Sequence, residues 1–132
     1  MRTIKFRGKQ RRTGKWFYGN LYAKDIYGRT HICTTKCGCF DIDPETVGQF
    51  TGLMDKDGNE IYEGDIVEWE KDNLKYVVKF WEGMFYASVK EYNEGIFGGF
   101  PLHTFTQGDE GYRCEIVGNI HDNTELLKGG EK

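Results

Sequence analysis

The sequence predicts a mostly-β protein of several coiled antiparallel strands, and three observations carry that reading. Nine Phe, eight Tyr and three Trp make the chain rich in residues that suit a pleated, half-buried surface. Eighteen Gly against two Pro describe many turns and few rigid spacers. Short stretches alternate apolar and polar residues with a period of two, and turn signals interrupt them roughly every dozen positions. At 132 residues the chain suits a single domain, 1–132, with a sublayer boundary expected near residues 43–48.

Taken in order, "RTIKFRG" alternates Ile4 and Phe6 with Thr3, Lys5 and Arg7, the pattern of a strand with one wet face. "RRTGKWFYGNLY" supplies a turn at Thr13-Gly14 and a second, aromatic strand, so a hairpin with a basic loop is expected. "GRTHICTTKCGCFDIDPETVGQ" reads as one short strand around His31–Cys33 among polar, turn-forming residues, and Asp43-Pro44-Glu45 suits a change of direction. "QFTGLM" and "NEIYEGDIVEWE" flank "DKDG", where Gly58 fits a left-handed hairpin turn. "LKYVVKFW" is the clearest strand: Leu74, Tyr76, Val78 and Phe80 share one face, with Lys75, Lys79 and Trp81 on the other. Glu82-Gly83 turns the chain into "MFYASVKEY", with Phe85, Ala87 and Val89 expected inward, and "RCEIVGNIH" repeats the pattern with Cys114, Ile116 and Ile120. In "DNTELLK", Asp122 or Asn123 is the expected N-cap of a short C-terminal helical turn. Such a series suits a small antiparallel barrel or a coiled sheet, and closure would hide the sheet edges.

Three separated blocks in order, "IKFRGKQRRTGKWFYGNLY", "TVGQFTGLMDKDGNEIYEGDIV" and "EIVGNIHDNTELL", resemble the YopX family of phage and prophage proteins over nearly the whole chain. The central block, Thr51 to Leu53, Asp55, Gly58 and Ile61 to Asp65, is the most specific part. The resemblance implies a mostly-β protein containing a small SH3-like barrel, carried by a phage or prophage, with no catalytic residues to carry over. Two regions depart from the family pattern: Thr124 stands where members have proline, and the cysteines at 33–39 lie outside the pattern.

The acidic stretch from Asp55 to Asp65 invites two chemical readings. A calcium loop beginning at Asp55 needs Gly at its sixth position and Glu at its twelfth, but those positions hold Glu60 and Ile66, which favours an ordinary polar turn. Glu63 and Asp65, two apart on a strand, would share a face and could split their pKa values, as a metal-assisted hydrolase would require. The competing reading makes Gly64 a bend and the carboxylates hydrogen-bond acceptors. "HICTTKCGC" offers His31, Cys33, Cys37 and Cys39 as soft metal ligands, although their C-x3-C-x-C spacing is not the usual zinc knuckle; reduced thiols in a loop are the simpler expectation.

Charge is distributed unevenly. Residues 1–24 carry eight basic side chains and no acidic one, whereas the rest holds 10 basic and 21 acidic side chains; the net charge is −3. Lys5, Arg7, Arg11, Arg12 and Lys15, beside Trp16, Phe17 and Tyr18, combine phosphate-binding charge with rings on which bases stack, and so form the candidate nucleic-acid or partner surface. Pairing of this segment with acidic side chains, within a chain or between copies of a homo-oligomer, is the alternative use of the charge. No G-x-x-x-x-G-K-[ST], H-E-x-x-H or G-x-S-x-G motif occurs, so the reading leans to a non-enzymatic interaction module without a cofactor. The N-terminus lacks an apolar segment, and a soluble protein in the bacterial cytoplasm is expected, without membrane contact.

Overall fold

A computed structural model describes residues 3–89, 99–106 and 113–126. The chain divides into two compact units, Met1–Phe50 and Thr51–Lys132. The first contains β1 (Phe6–Lys9), β2 (Trp16–Tyr22), β3 (Thr30–Thr34), β4 (Gly38–Ile42), a 3-10 turn at Pro44–Thr46 and the start of β5 (Gly48–Met54). The second contains the rest of β5, then β6 (Glu60–Tyr62), β7 (Asp65–Trp69), β8 (Lys75–Trp81), β9 (Met84–Val89), β10 (Phe100–Pro101), α1 (Leu102–Thr106) and β11 (Cys114–Asn119). The strands form two antiparallel sheets, in the orders β4-β3-β2-β1-β5-β6 and β10-β9-β8-β7-β11. Both orders are open: the barrel closure expected from the strand pattern is not seen among the described residues. No helix among them is long and apolar enough to cross a membrane.

In the first unit, β1 and β2 pair from Phe6↔Gly19 to Lys9↔Trp16, with the chain turning through Gly14 at φ 75°. Alternation then puts Phe6, Gly8 and Phe17 on one face and Arg7, Lys9, Trp16 and Tyr18 on the other. Ile32 and Ile42 are buried, and Phe17 stacks on Phe40 with centroids 4.0 Å apart. Glycine is required at position 19, because a Cβ there would collide with the backbone carbonyl of Cys33. The chain does change direction at Asp43, whose Oδ1 accepts from Glu45 N at 3.1 Å as the cap of the 3-10 turn. The structure adds a strand that the sequence reading left as polar turn: β4 pairs with β3 from Thr30↔Ile42 to Thr34↔Gly38. Its Phe40 and Ile42 alternate with Cys39 and Asp41, a two-residue period that the small and charged neighbours diluted.

The core of the second unit gathers Ile61, Val67, Trp69, Tyr76, Val78, Ala87, Leu102, Phe105 and Cys114. Phe105 is central: its ring stacks on Trp69 at 4.4 Å and meets Tyr76 edge-on at 4.9 Å. Burying such a side chain contributes about 1.5–3 kcal/mol through the hydrophobic effect. The β8–β9 hairpin turns at Glu82-Gly83, as expected, with φ of 49° and 85°. On the face shared by Leu74, Tyr76, Val78 and Phe80, only Tyr76 and Val78 are buried. Leu74 and Phe80 are half exposed, whereas Val77, on the opposite face from Tyr76 and Val78, is buried. The middle of the sheet is covered on both faces, with Ile66, Val77 and Ser88 buried on the second, so alternation gives the faces while burial follows position along the strand. β11 carries a bulge between Ile116 and Gly118, and Ile120 lies in the turn beyond it. Helical backbone begins at Glu125, with Leu126 N donating to Asn123 O at 2.9 Å; the remainder of the expected C-terminal turn lies outside the described residues.

Candidate partner-binding surface

The tip of the β1–β2 hairpin is built by the basic loop, residues 10–15. Gln10 and Lys15 close it through their backbones, Gln10 N donating to Lys15 O at 2.8 Å, and Gly14 N returns to Gln10 O at 2.7 Å. Arg11, Arg12 and Lys15 are exposed around this turn. Arg11 keeps a 2.9 Å ion pair to Asp43, yet its side chain remains 75% exposed, so the pair is worth about 0–1 kcal/mol and leaves the guanidinium accessible. Beside the tip, an open cleft of about 350 Å³ is lined by Gln10, Arg11, Arg12, Asp41 and Ile42. Tyr18 is 47% exposed on the same strand face as half-buried Trp16.

The candidate residues do not form one surface. Arg11, Arg12, Lys15 and Tyr18 are presented outward, but Arg7 is buried with its guanidinium 4.8 Å from the centre of the Trp16 ring. Lys5 sits 5.4 Å over the ring of Phe50. These two cations serve the packing of the first unit, where a guanidinium or ammonium gains from an aromatic face once water is partly excluded. Asp41 lines the cleft and Asp43 pairs with Arg11; the sequence marks Asp43 as a turn residue but neither as a neighbour of the basic loop, because β4 and the following turn reach the hairpin only through the fold.

At β3, Cys33 and Cys39 face each other and are joined as a disulfide, in contrast to the reduced thiols expected there. Cys37 is an exposed thiol in the intervening turn. His31 Nε2 lies 2.8 Å from Asp25 Oδ2. Asp25, which the sequence reading passed over, also accepts from Tyr27 N and Arg29 N, an Asx-type turn legible in Asp25-Ile26-Tyr27-Gly28. The His31 ring, with help from the Arg29 and Tyr27 amides, holds the Asp25 carboxyl well below the usual carboxylate range. With the two sulfurs joined, no three His, Cys, Asp or Glu side chains among the described residues are placed to hold a metal.

The acidic stretch is structural where it is best defined. Asp55 is 4% exposed and its carboxylate accepts from Asp57 N and Asn59 N, both at 2.9 Å, and from Ile116 N at 3.0 Å. It therefore closes the "DKDG" turn, with Gly58 at φ 85°, and ties that turn to β11. Burial alone would raise its pKa, but the amides of Ile116, Asn59 and Asp57 outweigh burial and lower it. Asp65 is also buried, accepting from Tyr62 N at 2.8 Å. Glu63 lies in the tight turn with Gly64, at φ 95°, and not on a strand, so the shared-face geometry expected of Glu63 and Asp65 does not arise. Cys114 is buried, and desolvation, reinforced by the negative charge of Asp55, pushes its thiol up to about 12.

An open, two-unit, antiparallel β architecture with a basic hairpin tip is thus the class of protein that these features define. The YopX protein family matches residues 5–128, and the chain belongs to that family. In fold it is similar to protein EF1440 from Enterococcus faecalis, with a TM-score of 0.57 and 21% identity over 96% of this chain and 99% of that one. A comparison with curated proteins finds no match.

Proposed function

We propose that this protein is a phage or prophage accessory protein that acts as a non-enzymatic binding module, docking an anionic partner, nucleic acid first, through the β1–β2 hairpin tip. The observation that carries this reading is the exposure of Arg11, Arg12 and Lys15 around one turn, beside a cleft and the accessible ring of Tyr18. Cations that track phosphates and a ring that stacks on a base are the two elements that single-stranded nucleic acids require. Anisotropy titrations with labelled single-stranded DNA and RNA, at salt between about 50 and 200 mM, test it. Affinity falls as salt rises, and replacing both Arg11 and Arg12 by Ala flattens the salt dependence by about two counterions. Absence of binding at the lowest salt, or binding indifferent to salt and to the double replacement, overturns the nucleic-acid reading.

A second reading, self-association or docking of a host protein, draws on the β8–β9 hairpin, where Phe80, Trp81 and Met84 are exposed close together. Light scattering of the eluted protein tests self-association: a dimer that Trp81→Lys converts to monomer supports it, and a monomer at all concentrations removes it.

A further inference from the structure

The β3–β4 hairpin carries a compact set of soft donors. The register pairs Cys33 with Cys39 and His31 with Asp41, and alternate residues of a strand share a side, so these four side chains lie on one face. The Cα atoms of Cys33 and Cys39 are 3.9 Å apart, which puts the two sulfurs side by side whether or not they are bonded. His31 offers its Nε2 to the Asp25 carboxylate, while its Nδ1 is buried and makes no hydrogen bond. A carboxylate on one ring nitrogen fixes the tautomer and leaves a lone pair on the other, the arrangement that surrounds metal-ligating histidines. Asp25 is itself immobilised by the amides of Tyr27 and Arg29, so the carboxylate–imidazole pair is in place without any ion.

We propose that the reduced β3–β4 hairpin binds a soft divalent cation, zinc first, through Cys33 Sγ, Cys39 Sγ and His31 Nδ1, and that formation of the Cys33–Cys39 disulfide turns the site off. Thiolates directly opposite each other reach a common ion at zinc–sulfur distances of about 2.3 Å, and an imidazole nitrogen completes a set that prefers zinc to magnesium or calcium. A low-molecular-weight disulfide is the oxidant that the switch needs. The Cys39 thiolate attacks one of its sulfurs and releases a first small thiolate; the Cys33 thiolate then attacks the Cys39 sulfur and releases the second. Two electrons pass from the hairpin to the small disulfide, and the cation leaves as its thiolate ligands are consumed. Cys37, exposed in the turn, is the nearest further sulfur along the chain for the fourth position.

The test uses the full chain, reduced with a phosphine or oxidised with a small disulfide, and titrated with cobalt(II) as an optical stand-in before zinc. The reduced protein takes up one equivalent, with a thiolate-to-cobalt band in the near ultraviolet and tetrahedral visible absorption, and zinc displaces both. The oxidised protein shows neither. Cys33→Ser and Cys39→Ser each abolish the one-to-one uptake, and Asp25→Asn weakens it about 10- to 100-fold, with the circular dichroism spectrum confirming that each variant folds. Failure of the reduced wild-type chain to bind either ion overturns the proposal, as does equal binding by the oxidised chain or by the folded Cys33→Ser variant.

Discussion

The two units divide their labour in the way they use aromatic residues. In the second, Trp69, Tyr76 and Phe105 meet ring to ring around buried aliphatic side chains. In the first, Trp16 carries Arg7, Phe50 carries Lys5, and Tyr22 and Tyr27 are largely exposed. Rings packed on rings and methyl groups remove apolar area from water and stabilise; rings under cations pack charge into the unit, and only rings open to solvent stay accessible. The comparison teaches that the second unit centres its core on rings packed against one another, whereas the first also packs its rings under cations.

Truncating the shared ring of the second unit is the strongest way to break that contrast. Phe105→Ala costs about 3–5 kcal/mol, because the cavity faces Trp69 and Tyr76 together, and chemical denaturation measures it. A cost below about 1 kcal/mol would mean that this core is not where stability resides.

Asp55→Ala follows, at about 1–3 kcal/mol, since it strands the amides of Asp57, Asn59 and Ile116. Its pH signature has a defined sign. The folded-state pKa lies below the ordinary 3.8, so the contribution is present above that value and is lost as pH falls through the lower folded value. Denaturation midpoints recorded between pH 6 and pH 2 fall more steeply in the wild type than in Asp55→Asn, which has no carboxyl to protonate.

Gly19→Ala sharpens the comparison from the other side. The added methyl group collides with the Cys33 carbonyl, costing about 1–3 kcal/mol by overpacking. Hydrogen exchange by mass spectrometry should show protection lost in β2 and β3 while the amides of β8 and β9 keep theirs. Equal loss in both units would erase the distinction between them.

The smallest effect is expected at Lys56, which reaches Glu70 at 3.6 Å and Glu115 at 3.7 Å across exposed surface. Lys56→Ala shifts stability by less than about 1 kcal/mol, and added salt shrinks the difference further.

Much of the fold is legible in the amino acids themselves. Gly14, Gly58 and Gly83 announce the turns they make, and the alternation in β1, β2 and β9 names their strands, because backbone sterics and side-chain period are local properties. The candidate site is legible in part: Arg11, Arg12, Lys15 and Tyr18 are where a hairpin tip should put them, while Arg7 is withdrawn beneath Trp16 by packing that charge counting does not reveal. α1 escaped notice because five residues around Leu102 and Phe105 are too few to display a helical period.

By itself, the order of residues determined the family, the strand-and-turn rhythm and the concentration of positive charge in the first 24 positions. The tertiary structure alone decided that Val77 is buried while Phe80 is not, that Asp55 closes on Ile116 some 61 positions away, and that Cys33 faces Cys39 across a strand pair. The physical reason is one of range: φ, ψ and alternation depend on neighbours along the chain, whereas burial, carboxylate partnership and sulfur proximity depend on groups that only folding brings together.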